Sequence, residues 1–165
     1  SAGIWEGLNR LSAYYMMFLG ALLTAYYLPK LSVAQTPAET RKIFLNYFKG
    51  VIPIFGVGLI VIFFCRGMVI DTLFTKEFLP MKDLFAWQLA GDFLKGMSLI
   101  LAYNFFAVRR TTAYIVTEFL SLSVFYGLSV FLIGIIGLQG IVFGYFLTYL
   151  IYLLLLIGLN LKYFK

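Results

Sequence analysis

The chain has 165 residues, of which 62% are hydrophobic and 12% charged, and its formal net charge is +6. A water-soluble domain runs at roughly 45–50% apolar and about 25% charged, so this balance excludes one and indicates a multi-spanning membrane protein. A single cysteine, Cys65, and no histidine exclude an intrachain disulfide and argue against a zinc or haem site or a histidine-based catalytic triad within the chain.

The first apolar run covers residues 11–28, preceded by Trp5, Glu6, Asn9 and Arg10 and closed by Pro29 and Lys30. Tyr14, Tyr15, Tyr26 and Tyr27 lie towards its two ends, where aromatic belts are expected. Thr36, Pro37 and Glu39 read as a cap, a first-turn proline and a capping-box acid, so a helix is expected to start near Pro37. It would run amphipathically past Arg41, Lys42 and Lys49 and enter the membrane at about Gly50. The second span is read from Gly50 to about Cys65 or, continuing across Arg66 and Asp71, over residues 50–73, with Pro53 placed to kink it. Residues 72–83 mix charges of both signs with Phe74, Phe78 and Leu79 and read as an interfacial segment, and Pro80 suits the start of the next helix.

The third span, residues 84–107, is the stretch on which the rest of the chain is organised. It is long enough to cross a hydrocarbon core of roughly 30 Å, yet it carries charge at depth. Gln88, Asp92 and Lys95 fall on one helical face. Ionisable groups in a membrane helix are costly and usually face a bundle interior or a wet cavity. Arg109 and Arg110 turn the chain into the fourth span, residues 113–132, with Thr117, Glu118, Ser121 and Ser123. The fifth, residues 141–159, ends in a basic tail of Lys162 and Lys165. Gly140 with Gly144, and Ala21 with Ala25, read as helix-packing surfaces.

Basic residues sort by side. Lys30, Arg41, Lys42, Lys49, Arg109, Arg110, Lys162 and Lys165 fall on one side, against Arg10, Arg66, Lys76 and Lys82 on the other. The richer side is expected to be cytoplasmic, with the C-terminus inside. Clusters of this kind between apolar runs are the pattern of membrane-facing loops, and no nucleic-acid partner is expected. Five spans then place Ser1 outside without a signal sequence, which suggests further helices upstream. The expected fold is an all-α integral membrane protein, a single five-helix bundle over residues 1–165.

Two stretches resemble a known family. The run FLPMKDLFAWQLAGDFLKG (residues 78–96) resembles the tenth-helix region of Wzx-type flippases, polysaccharide exporters of the MOP superfamily, and GIWEGLNRLSAYY (residues 3–15) resembles the start of their eighth helix. The LFAWQ-x3-D stretch is most similar to the O-antigen and enterobacterial common antigen members. The resemblance implies helices eight to twelve of a twelve-helix transporter, most of its C-terminal lobe. It implies a flippase that carries an undecaprenyl-pyrophosphate-linked oligosaccharide across the bacterial inner membrane for surface polysaccharide assembly. Its partners would be that lipid-linked oligosaccharide, the bilayer, the remaining helices of the full-length transporter and other polysaccharide-assembly membrane proteins. No cofactor or metal is implied, and the chain is not expected to be an enzyme.

A pyrophosphate and a glycan call for cations and hydrogen-bonding groups in a wet cavity, with the polyprenyl tail left in lipid. Lys95 and Arg10 are the candidate cations, and Gln88, Asn9, Asn104 and Tyr14 the candidate sugar contacts. Asp92 and Glu118 are the candidates for protonation or ion coupling. Plainer readings stand beside these. Asp92 and Lys95 at i, i+3 would neutralise one another inside a packed helix. Glu118 would snorkel towards Arg109 and Arg110, Arg10 would be an interfacial anchor, and the tyrosines would be belt residues. Trp87 is read as lipid-facing or packed, and Arg66 and Asp71 as the outer end of the second span. Three other functions were weighed: a MATE-like ion-coupled small-molecule exporter, an integral-membrane enzyme acting on lipid-linked sugars, and a non-catalytic membrane subunit. An enzyme of that kind typically carries a large periplasmic loop or a catalytic histidine, and this chain shows neither. A lobe short of one helix is also expected to be poorly stable alone.

Overall fold

A computed structural model describes residues 2–73, 82 and 84–164, and every regular element among them is helical. The architecture is an all-α membrane bundle. Four helical rods are long and apolar enough to cross a membrane: Trp5–Val33, Pro37–Phe64, Thr111–Ile136 and Gln139–Leu159. The expected interfacial segment around Lys76, Glu77 and Pro80 lies outside the described residues, as do Asp83 and Lys165.

The first rod joins α1 (Ala2–Leu22) to α2 (Leu28–Val33) through a π-helical segment, Leu23–Tyr27. It therefore begins well before residue 11 and runs through Pro29, where the sequence suggested an end. Proline lacks an N–H, and its ring collides with the carbonyl four residues back. Here the ladder widens just upstream, the Leu28 N–H reaching the Leu23 carbonyl, and the rod accommodates the proline without ending. The second rod repeats the device. α3 (Pro37–Asn46) passes through a π segment, Tyr47–Val51, into α4 (Ile52–Phe64), and Pro53 follows directly. Thr36 and Glu39 form the expected capping box at its start. The two π segments meet inside the bundle: the Tyr27 and Tyr47 rings stand edge to face 5.2 Å apart.

The helix of the second span closes at Phe64, beside the expected end at Cys65, and does not continue unbroken to residue 73. Helical geometry fails at Cys65, and the short α5 (Arg66–Leu73) follows. Arg66 donates to the Phe63 carbonyl at 2.9 Å and lies over the Phe63 ring. Its guanidinium thus satisfies a carbonyl that the break leaves short of a partner.

α6 (Phe85–Ala107) is the axis of the molecule, matching the expected third span within one residue. Its 23 residues extend about 35 Å, but it is not among the four apolar rods, because Gln88, Asp92, Lys95, Ser98 and Asn104 interrupt it. It is nonetheless the most enclosed helix, packed against α1, α2, α4 and α8 (Gln139–Leu159), with α7 (Thr111–Ile136) alongside. Apolar cores form towards its two ends. Phe85 and Leu89 join Leu8, Leu59, Ile70 and Val142 at one. Ile100, Leu101 and Phe105 join Phe44, Tyr47, Leu153 and Leu156 at the other.

α6 ends in a Schellman motif. The Arg109 N–H bonds the Phe106 carbonyl and the Arg110 N–H the Phe105 carbonyl, with Arg109 at φ 57° where glycine is usual. α7 and α8 pack closely because Gly140 lies against α7: a Cβ there would fall 2.5 Å from the Leu132 carbonyl carbon. The Gly140–Gly144 pair is therefore a packing surface, whereas Ala21 and Ala25 are exposed.

Candidate functional site

The middle of α6 carries two neighbouring polar environments. In the first, Asp92 is fully buried. Its carboxyl accepts from Ser12 Oγ at 2.6 Å and from the Tyr15 hydroxyl, both on α1, and from the Tyr145 hydroxyl on α8 at 2.7 Å. Gln88, one turn earlier and also buried, donates to Ser12 Oγ at 3.0 Å. A buried carboxyl is tolerated only when its oxygens find donors, and here two other helices supply them. Gly91 makes this possible, since a Cβ at that position would fall 2.5 Å from the Tyr145 ring. Without a side chain there, Tyr145 lies flat against α6 and its hydroxyl reaches Asp92.

In the second environment, Lys95 is half-buried and lines a cavity of about 230 Å³ between α1, α6, α7 and α8. Its ammonium lies 5.2 Å from the centre of the Tyr149 ring and 6.0 Å from that of Tyr145. Both are within reach of a cation–π attraction. Trp5, Asn9, Ser121, Phe125 and Thr148 complete the walls. The indole N–H of Trp5 is buried and has no hydrogen-bond partner among the described residues, while its ring stacks on Phe125 at 5.9 Å. The cavity therefore combines one cation, an amide, hydroxyls and aromatic faces. That set suits an anion carrying hydrogen-bond acceptors and a ring-shaped polar group.

Of the sequence candidates, Lys95 and Asn9 share this cavity, and the others lie elsewhere. Arg10 is exposed and paired with Glu6 at 2.6 Å, one turn earlier on α1. Tyr14 is exposed. Asn104 is buried and donates to Asn160 Oδ1 at 2.9 Å, tying α6 to the end of α8. Glu118 accepts from the Tyr152 hydroxyl at 2.6 Å, so its side chain turns to α8, with no ion pair to Arg109 or Arg110 among the described residues. Asp92 and Lys95 form no close ion pair: Arg10–Glu6 is the only one among the described residues. Trp87 is packed and partly exposed, its ring 4.8 Å from Phe143.

Trp5, Tyr145 and Tyr149 were not among the sequence candidates, though a signal for them existed. Trp5 precedes Asn9 by one helical turn, and Tyr145, Tyr149 and Tyr152 recur at i, i+4 and i+7, which puts each set on one face.

The chain is similar to the lipid III flippase of Escherichia coli (strain K12), 30% identical over 156 residues that make up 94% of this chain and 38% of that protein. The lipid III flippase of Shigella flexneri matches with the same identity and coverage. This chain thus spans about 38% of the length of the curated relatives it matches. No family model matches it, and no solved structure does.

Proposed function

We propose that this chain is part of a flippase that moves a polyprenyl-pyrophosphate-linked oligosaccharide from the inner to the outer leaflet of a bacterial inner membrane. The observation that carries this reading is Lys95: a cation without an ion-pair partner among the described residues, half-buried near the middle of α6 in a cavity walled in part by Trp5. A charge kept at that depth is costly, and a substrate anion that visits the cavity is a reason to keep it. The similarity to lipid III flippases over nearly the whole chain supports the same reading. In this proposal α6 is the third of five membrane crossings over residues 1–165, the C-terminus is cytoplasmic, and the remaining helices belong to the rest of the transporter. Lys95 binds the pyrophosphate. Trp5 and Asn9 bond oxygens of the pyrophosphate or the first sugar, and Tyr149 and Phe125 present faces to the sugar ring. O-antigen and enterobacterial common antigen repeats are the proposed glycans.

The test uses the intact gene in cells that lack their own flippase but still make the lipid-linked repeat. Wild-type protein should restore surface polysaccharide, and Trp5→Phe, which keeps the ring and loses the N–H, should lower it about fivefold to tenfold at equal protein level. No restoration by the wild type, across several repeat structures, would reject the proposal.

A further inference from the structure

Away from the Lys95 cavity, the side of the bundle where basic residues gather carries a second pocket. It is a depression of about 570 Å³ between the start of α3 and the short helical turn Leu161–Tyr163 that follows α8. Arg41, Lys42 and Lys162 lie in its lining. All three are exposed, and none forms an ion pair among the described residues. The nearby acid in sequence, Glu39, is occupied: its carboxylate accepts from the backbone N–H groups of Gln35 and Thr36 in the capping arrangement. Hydrogen bonding leaves Glu39 its charge, but the three cations outnumber this one nearby carboxylate among the described residues. Their frame is fixed. Phe44, on the buried side of α3, packs edge to face on Tyr163 at 5.9 Å and stacks on Phe164 at 5.7 Å, which holds α3 against the end of the chain. Leu45 and Tyr163 give the same pocket an apolar border.

We propose that this pocket binds the phosphate of an anionic phospholipid headgroup. Three cations on a rigid frame attract a phosphate diester. The apolar border fits the glycerol and first acyl carbons, which inorganic phosphate lacks. The pocket lies where α3 leads into a membrane-crossing rod, at the level where headgroups are found. A neighbouring depression that shares Lys42 adds Lys30 together with Glu39. Bound lipid would fasten α3 to the end of the chain and so steady the start of the second rod.

The experiment uses the intact protein in uncharged detergent, with lipid binding followed by native mass spectrometry and by thermal unfolding. Phosphatidylglycerol should be retained and should raise the melting temperature. Phosphatidylcholine should not, and neither should sodium phosphate at the same concentration. In the triple variant Arg41→Gln, Lys42→Gln, Lys162→Gln, affinity for the most tightly held phosphatidylglycerol should fall on the order of a hundredfold, from about fivefold per charge. Its melting temperature without lipid should stay that of the wild type, because all three side chains are exposed. Unchanged phosphatidylglycerol binding in the triple variant would overturn the proposal. So would a wild type that ignores phosphatidylglycerol, and a response to sodium phosphate as large as that to the lipid would assign the pocket to free phosphate instead.

Discussion

Asp92 and Lys95 are one turn apart on the same helix, carry opposite charges, and live in opposite surroundings. Asp92 is enclosed, with three hydroxyl donors from two other helices closing on its oxygens. Lys95 has no ion-pair partner among the described residues and faces a cavity over aromatic rings. The difference teaches that a charge in a membrane helix can be used in two ways. One with all its hydrogen bonds supplied from inside the fold joins helices, whereas one left partly unanswered is available to a ligand. In this account Asp92 builds the wall that Lys95 looks out from, because Tyr145 belongs to both environments: its hydroxyl bonds Asp92 and its ring lies in the lining around Lys95.

Breaking the enclosed side should have the largest effect on stability. Asp92→Ala strips the buried hydroxyls of Ser12, Tyr15 and Tyr145 of their common acceptor and should cost about 3–5 kcal/mol, read as a lower midpoint of unfolding in detergent. Gly91→Val forces the Tyr145 ring off α6 and should cost about 1–3 kcal/mol, with a loss of transport that follows from the displaced cavity wall. Lys95→Ala should sharpen the contrast. Its stability should stay within about 1 kcal/mol of wild type, while transport per molecule falls roughly tenfold to a hundredfold, the worth of a charge-assisted hydrogen bond to phosphate. The smallest effect is expected outside both environments. Arg109→Gly relieves a left-handed backbone at the end of α6 and should raise stability by about 1 kcal/mol, with no change in transport.

Much of this contrast was legible along the chain. The bounds of α6, the shared face of Gln88, Asp92 and Lys95, the capping box at Thr36 and the packing role of Gly140 all follow from local spacing, and local spacing is what a sequence displays. The partners of Asp92 were not legible, because Tyr15 and Tyr145 lie 77 and 53 residues away and nothing local says which hydroxyl turns inward. Asn104 was read as a sugar contact for the same reason: its bond to Asn160 spans 56 residues. The ends of the first rod were misjudged because Pro29 was given its usual meaning. The π segment before it, repeated before Pro53, lets both helices continue. The Lys95 cavity needed four helices in place before Trp5 and Tyr149 could be seen beside the lysine.

The most direct test of the division between the two charges is the affinity of the purified intact protein for a polyprenyl pyrophosphate, measured for wild type, Lys95→Ala and Asp92→Asn at a temperature where all three are folded. The account predicts that Lys95→Ala lowers affinity at least tenfold with an unchanged melting temperature, while Asp92→Asn lowers the melting temperature and leaves the affinity of the folded fraction within about threefold of wild type. Full affinity in Lys95→Ala, or a loss of affinity in Asp92→Asn as large as that expected for the lysine, would contradict it.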